Sequence, residues 1–266
     1  MPLELIRIEL LLPAFGLVVA RMAGLVMGVP VLSSAEIPTV FKLWLVATLS
    51  LMSFPIVAPL LPQSLTLLQV GSGMVGEFVV GEILGLAASV VLLAAEVAGK
   101  MVSHQSGLAL GEVYNPVSDT TTTELDQVWF FASLMIFMAL RGHVAVVDVL
   151  LSSFKQVPPM MMFVDGAMTD CLQGLLRSIF DVAVRLAGPA ILALLLTSLI
   201  LGVLTKTMPQ LNVLSVGFSF KIAVAIFMVA VTITCSYDLL SDALFDGLDQ
   251  VGGLFEHVSR RVMHGV

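Results

Sequence analysis

The sequence predicts an all-α protein made of long, kinked helical hairpins. Of its 266 residues, 58% are hydrophobic and 12% are charged, and the mean hydropathy is +1.05. Because soluble domains carry about 25% charged residues, this composition indicates a membrane protein or a subunit of an assembly formed in a membrane. The apolar residues are grouped in segments long enough to cross a bilayer as helices, and prolines inside several segments predict kinks.

Six apolar segments are expected, separated by polar or proline-containing links. The second is cut by Pro55 and Pro59, and the fourth is broken at Arg141-Gly142-His143. An amphipathic stretch, 165–187, precedes the fifth segment, and a tail of mixed character, 238–266, follows the sixth. The six segments are expected at about 8–32, 40–61, 67–102, 128–154, 186–204 and 216–237, arranged as hairpins 8–61, 67–154 and 186–237 of a single subunit, 1–266.

Charged residues within or beside these segments make them poor membrane-spanning helices. They include Arg21, Glu77, Glu82, Arg141 and Asp148. A charge at the centre of a membrane helix costs roughly 2.5–3.5 kcal/mol on insertion scales. We therefore expect these charges to be buried against partner subunits rather than to face lipid. A competing interpretation is a proton-coupled secondary transporter in which Glu77, Glu82 or Asp148 carries the proton.

The third segment carries a stripe of small residues at helical spacing. Small residues at every fourth position let two helices approach closely, so the stripe predicts a tight packing seam. Glu96 and Lys100 stand four residues apart, in the order that favours an ion pair. The seam consists of Glu77, Gly81, Gly85, Ala88, Ala95, Gly99 and Ser103.

The sequence contains no motif of a known enzyme class. Zinc-protease, nucleophile-elbow and phosphate-binding glycine motifs do not occur. Cys171 and Cys235 match no metal spacing, and neither His104 nor His143 has a second ligand at such spacing. A net charge of −7 without a basic patch argues against nucleic acid as a partner. We therefore expect no catalytic residues, no cofactor and no metal.

Two patterns each have two interpretations. Met160-Met161-Met162 follow Pro158-Pro159, and flexible thioethers adapt to a changing partner, so this run is either core or interface filler or a gasket around a pore. An acidic stripe at helical spacing in the tail is either a solvated helix face or the lining of a water-filled conduit. The stripe consists of Asp238, Asp242, Asp246 and Asp249.

The longest polar interruption of the chain is the stretch 99–127. Within it, Tyr114-Asn115-Pro116 cannot continue a helix, because proline lacks the amide donor and disfavours the helical conformation of the residue before it. The stretch is longer than most connections between helices. It is therefore interpreted either as an exposed loop or as a loop placed in a passage to control it.

The link between the fifth and sixth segments reads KTMPQLNVLSVGFSFK, from Lys206 to Lys221. This run resembles the signature of the FliR family, the flagellar members of the type III secretion export-gate proteins. Other stretches resemble the family in order and position, so that the resemblance covers nearly the whole chain. They are Arg21 with Pro30-Val31-Leu32-Ser33, Gly107-Leu108 leading to Asn115-Pro116, and Gly142-His143 followed by Ser152 and Pro158.

The resemblance implies a non-enzymatic subunit of a heteromeric helical export-gate assembly. One copy would join FliP and FliQ subunits and other export-apparatus proteins in the bacterial inner membrane, within the flagellar basal body, and unfolded substrates would pass through the centre. It also implies a plug loop at about 106–124, with Ser106, Gly107, Leu108, Gly111, Tyr114, Asn115 and Pro116. Packing between subunits is expected at Gly81, Gly85, Gly99, Pro209, Gln210, Asn212 and Gly217.

Overall fold

The computed structural model of the chain describes residues 2–34, 37–60, 67–109, 124–160, 166–208 and 213–264. Throughout these ranges the secondary structure is helical and contains no strand, which confirms the predicted all-α class. The helices are α1 (Pro2–Gly28), α2 (Pro30–Ser33), α3 (Thr39–Val57), α4 (Leu67–Ser106), α5 (Glu124–Ala139), α6 (Gly142–Gln156), α7 (Gly166–Thr207), α8 (Val213–Cys235) and α9 (Tyr237–His264), with a 3₁₀ turn at Ala58–Leu60.

One of the predicted helix breaks coincides with left-handed backbone, and one predicted proline cut does not occur. The predicted break in the fourth segment is confirmed, because α5 ends before Arg141, whose φ of 56° is rare for a non-glycine residue. The predicted cut at Pro55 is wrong, since α3 continues through Pro55 to Val57. Helices in apolar surroundings tolerate an internal proline because small local adjustments satisfy the freed carbonyl.

The amphipathic stretch 165–187 and the fifth segment form one continuous helix, α7, rather than two elements. It contains 42 residues and includes Pro189, and at 1.5 Å per residue it is about 60 Å long. Asp181 and Arg185 form an exposed ion pair one turn apart, with an N–O distance of 2.9 Å. The change of polarity near residue 185 is therefore a change of environment along one helix and not a boundary between helices.

The tail is also a helix, α9, and it is amphipathic. Leu244, Leu248 and Val251 are buried on one side, whereas the acidic stripe is exposed on the other. This spacing of apolar residues is typical of a helix that packs one face on a core. The stripe consists of Asp238, Asp242, Asp246 and Asp249.

Four of the described helices are long and apolar enough to cross a membrane, or five if α5 and α6 together form one span. Their burial divides them into two kinds. The most apolar window of α4 is 72% buried inside the chain, compared with 22%, 28% and 22% for α3, α7 and α8. Helix α4 is therefore a core helix, and the other three expose apolar faces.

The chain divides into two compact units. The first comprises Met1–Val90, Arg141–Leu176 and Leu244–Val266. In it α1 packs along α3, where the rings of Phe15 and Phe54 meet edge to face with centroids 5.4 Å apart. The second comprises Val91–Leu140 and Arg177–Ala243, and in it α5 packs on α8.

Candidate functional site

A close helix crossing in the first unit lies between α1 and α4, and glycines form it from both sides. A Cβ atom at Gly81 would collide with the Arg21 carbonyl oxygen and lie 2.8 Å from the Leu25 nitrogen. A Cβ atom at Gly24 would collide with the Phe78 carbonyl oxygen. The two backbones therefore touch directly, which only residues without a Cβ allow.

One turn further along, the same crossing continues between Gly28 and Gly85. A Cβ atom at Gly85 would lie 2.7 Å from the Gly28 Cα, closer than real Cβ contacts come. The Ser89 hydroxyl lies between the helices, 2.6 Å from the Gly85 carbonyl oxygen and 3.1 Å from that of Gly28. Each helix thus contributes a small-xxx-small motif, and the two motifs face each other.

A buried ion pair lies about one turn before this crossing. The Arg21 guanidinium and the Glu77 carboxylate are 0% and 1% exposed, and Arg21 Nε donates to Glu77 Oε2 at 2.6 Å. The guanidinium carbon of Arg21 also lies 4.1 Å from the centre of the Phe154 ring. Because neither charge reaches water, each is the counter-charge of the other, and removing one would leave an uncompensated buried charge.

The remaining hydrogen-bonding groups of this pair connect α1 and α4 to the end of α6. Arg21 Nη1 donates to Ser153 Oγ at 3.0 Å, and Arg21 Nη2 donates to the Val157 carbonyl oxygen at 3.1 Å. The free carboxylate oxygen of Glu77, Oε1, accepts the Met160 amide at 2.9 Å. One arginine and one glutamate therefore hold three parts of the first unit together, and we call these five residues the charge cluster.

A second close approach, in the second unit, joins the end of α4 to the start of α5. A Cβ atom at Gly99 would lie 2.7 Å from the Asp126 Cα. The buried carboxylate of Asp126 accepts a hydrogen bond from Ser103 Oγ at 2.8 Å. Since Ser103 precedes the expected plug loop and Asp126 follows it, this hydrogen bond fixes the two ends of the intervening chain next to each other.

Gly107 ends α4 in a left-handed conformation, with φ +90°, and its amide hydrogen bonds back to the Ser103 carbonyl oxygen at 3.2 Å. This is a common way to end a helix, because glycine adopts positive φ without a Cβ penalty. A Cβ there would lie 2.7 Å from the Phe218 ring. Ser106 is buried and bonds the Ser103 carbonyl oxygen, and Leu108 is half-buried. Gly111, Tyr114, Asn115 and Pro116 lie outside the described residues.

The other expected site residues fall in different surroundings. Glu82 is half-buried, whereas Arg141 and Asp148 are exposed on this chain. Burial of Arg141 and Asp148 against partner subunits stays a prediction. Gly81 and Gly85 make their close contacts within the chain, and a role in packing between subunits stays a prediction for them too. Gly217 is buried, and a Cβ there would lie 3.2 Å from Leu201. Pro209, Gln210 and Asn212 lie outside the described residues.

Sequence reasoning found the glycine seam of α4 but not its partner. Gly24 and Gly28 have the same four-residue spacing as Gly81 and Gly85. This second small-xxx-small motif is the signal in the sequence that could have identified α1 as the helix that packs on α4. The roles of Ser153 and Met160 had no comparable signal, because they depend on which helix end lies beside Arg21. The expected pairing of Glu96 with Lys100 is confirmed, with an N–O distance of 2.6 Å.

The site is a packing and charge network rather than a set of ligands. Among the residues with described positions, no group of three or more His, Cys, Asp or Glu side chains is arranged to hold a metal ion. The glycine crossing fixes the register of α1 against α4, and the charge cluster holds the start of the turn after α6. The apolar faces of α3, α7 and α8 are not covered by the rest of the chain. Together these features define a helical membrane protein built to pack against other surfaces.

Comparison with known proteins identifies the family. Residues 12–246 match the family described as bacterial export proteins, family 1. The flagellar biosynthetic protein FliR of Bacillus subtilis is 26% identical over 225 residues, which cover 83% of this chain and 86% of that protein. The secretion system apparatus protein SsaT of Salmonella typhimurium is 25% identical, over 70% of this chain and 73% of its own length. SpaR of Shigella flexneri, a surface presentation of antigens protein, is 27% identical over 62% and 63%.

The chain therefore belongs to family 1 of the bacterial export proteins. The expected resemblance to FliR is confirmed by relatives of that name, and the secretion-system relatives place the chain among components of flagellar and type III export systems. Family membership and the four candidate membrane-spanning helices support the expected location in the bacterial inner membrane.

Proposed function

We propose that this chain is a non-enzymatic subunit of the flagellar type III secretion export gate. With FliP and FliQ it forms the closed conduit in the basal body through which unfolded flagellar proteins leave the cell. The observation that supports this best is the large apolar surface that the chain leaves uncovered on α3, α5 and α7. Trp44 in the first unit is 70% exposed, and Met135 and Leu199 in the second are 73% and 68% exposed. Large apolar side chains exposed in this number need another surface, lipid or protein, to cover them.

The hydrogen bonding and exposure of the candidate carboxylates support a subunit of an assembly rather than a proton-coupled transporter. Of the three candidate carboxylates, Glu77 accepts hydrogen bonds from Arg21 and from the Met160 amide. Asp148 is exposed on α6, and Glu82 is half-buried on α4. A proton carrier needs a carboxylate that alternates between partners along a path across the membrane. A carboxylate whose two oxygens are both bonded inside the fold is poorly suited to that task.

We further propose that the loop at 106–124 occludes the conduit at rest and moves aside for substrate. Support comes from its described flanks, where Gly107 turns the chain away from the helix axis and the Ser103–Asp126 hydrogen bond holds the two ends together. A loop whose ends are fixed can change position without unfolding the helices that carry it.

Deletion of 107–122 tests the plug. We expect small solutes to leak across the inner membrane several-fold faster, because the loop no longer occludes the conduit. The loop-deletion variant should still assemble with its partners. The measurement is solute uptake by cells that express the deleted chain, with co-purified partners as the control for assembly. The matched control replaces the same residues with a flexible linker of equal length, which separates loss of the plug from shortening of the connection. A sealed membrane with normal export would contradict the plug.

The mass of the intact complex purified through this chain tests the subunit assignment. We expect a heteromeric complex several times heavier than the chain itself. A lone chain that moves a solute with proton coupling in liposomes would instead establish the transporter. A heteromeric complex of normal mass, with no effect of deleting the loop on the membrane seal or on export, would indicate a scaffold without a gating role.

A further inference from the structure

Helix α6 carries a line of charged side chains on its exposed face. Arg141, directly before the helix, and Asp148 and Lys155 within it are all exposed, and their side chains form no ion pair or hydrogen bond with any described residue. Residues seven apart on a helix lie about 10.5 Å apart along its axis and nearly on one line. The three charges therefore form a straight row, positive, negative and positive, which we call the α6 charge stripe.

The opposite face of α6 packs in the first unit and fixes the direction of the stripe. Val146, Leu150 and Phe154 are buried on that face. Ser153, also buried there, accepts a hydrogen bond from Arg21 in the charge cluster at 3.0 Å. A rotation of α6 that brought the stripe inward would expose these apolar side chains and break that bond, so the charges of the stripe stay directed outward.

The surroundings of the stripe favour a protein partner over lipid or water alone. Helices α5 and α6 together are apolar enough to form one broken membrane span, and a charge that faces acyl chains is costly. Val144 and Val147 are exposed beside the stripe, at 45% and 38%, and apolar side chains favour burial. Apolar residues flanked by charges that recur every seven residues are typical of the seam between two packed helices.

We propose that the α6 charge stripe docks one helix of another subunit, and that this helix carries charges in the reverse order, acidic, basic and acidic, at seven-residue spacing. The inference rests on the proposed heteromeric function and names the chemistry of one partner surface. The order of the charges also sets the register of the partner helix, since a shift by seven residues would bring like charges together.

The start of α6 favours an acidic partner residue for a second reason. No side chain caps this helix start, and the first turn contains no acidic residue. A partner carboxylate beside Arg141 would therefore meet both the guanidinium and the positive end of the helix dipole.

A second copy of this chain is a poor occupant of the same face. If two α6 helices pack in register and parallel, each charge lies opposite the same charge of the other copy. If they pack in register and antiparallel, Asp148 lies opposite Asp148 and Arg141 lies opposite Lys155. Every charge contact is repulsive in both arrangements, which favours a different polypeptide.

Site-specific photo-crosslinking in the full-length chain, purified within its membrane complex, tests the docking helix. The probe is a photoreactive phenylalanine analogue at Ser152, an exposed position between Asp148 and Lys155. We expect an adduct with a different subunit, on a helix that has acidic, basic and acidic residues seven apart. In a heteromeric complex, adducts with lipid alone, with a second copy or with a segment without that pattern would overturn the proposal, as would the absence of any adduct. A chain that purifies without partners would instead contradict the proposed function itself.

Reversal of the central charge provides a second test. Asp148→Lys makes the whole stripe positive, and we expect about tenfold less partner to co-purify. Asp242→Lys, at an exposed position of α9, makes the same change in net charge and is the matched control; its partner recovery should stay within about twofold of the unchanged protein. Replacing the basic residue of the crosslinked helix by an acidic one should restore assembly of Asp148→Lys. Equal losses in the two variants, or no loss in Asp148→Lys, would overturn the proposal.

Discussion

Replacement of Arg21 by methionine is expected to destabilise the protein by about 3–5 kcal/mol. The substitution leaves the Glu77 carboxylate buried without its cation, and it also removes the donors to Ser153 Oγ and the Val157 carbonyl oxygen. Methionine is long enough to fill most of the space, so the loss reflects charge and hydrogen bonding rather than a cavity. The measurement is the free energy of unfolding in mild detergent.

The double replacement Arg21→Met with Glu77→Met is the control for this result. It removes both charges together, and we expect it to be less harmful than Arg21→Met alone, since replacing a whole buried ion pair by apolar groups is often close to neutral. The partly exposed pair Glu96–Lys100 provides a second comparison. Lys100→Met should change stability by no more than about 1 kcal/mol. If the single and double replacements at the charge cluster were equally damaging, the ion pair would not be what holds the three segments together.

Substitution of Gly81 by alanine is the second change with a large expected effect. The new Cβ would collide with the Arg21 carbonyl oxygen, and the atoms it meets belong to the backbone of α1, which cannot rotate out of the way. Overpacking of this kind costs about 1–3 kcal/mol and occasionally more. We expect a loss at the upper end of that range, measured as the free energy of unfolding, and failure of the chain to accumulate with Gly81→Leu.

Gly71→Ala, on the same helix, is the control that separates the steric effect of Gly81→Ala from the higher helix propensity of alanine. Its Cβ enters open space, so we expect a gain of about 0.5–1 kcal/mol from the lower backbone entropy of alanine in a helix. The two alanine substitutions should therefore change stability in opposite directions. Equal effects of the two would contradict the backbone contact at the α1–α4 crossing.

The sequence predicted the features of this fold that depend on local pattern. The stripe that includes Gly81 and Gly85 has a spacing that specifies one face of a helix. The break at Arg141-Gly142-His143 was predicted from the same local sequence, although the left-handed residue there is Arg141 and not the glycine. Arg21 and Glu77 were expected to be buried against partner subunits, because an unpaired charge in apolar surroundings is costly; in the structure they are instead buried against each other within the chain. These inferences need no knowledge of the neighbouring helix.

The features that the sequence did not predict depend on contacts between distant parts of the chain. Arg21 and Glu77 are 56 residues apart, and no local pattern indicates that they pair with each other rather than with another subunit. The continuity of α7 was missed because a change from polar to apolar surroundings resembles a boundary between elements. Exposure of Asp148 on the single chain was not evident either, since its apolar flanks favour burial.

The length of α4 has a consequence for how the chain sits at a bilayer. Forty residues make a rod of about 60 Å, which is twice the hydrocarbon thickness of roughly 30 Å. Even at a steep tilt of about 40°, the rod would exceed that thickness by roughly 15 Å. A helix of this length that crosses the bilayer within such a tilt therefore extends beyond the acyl chains on at least one side.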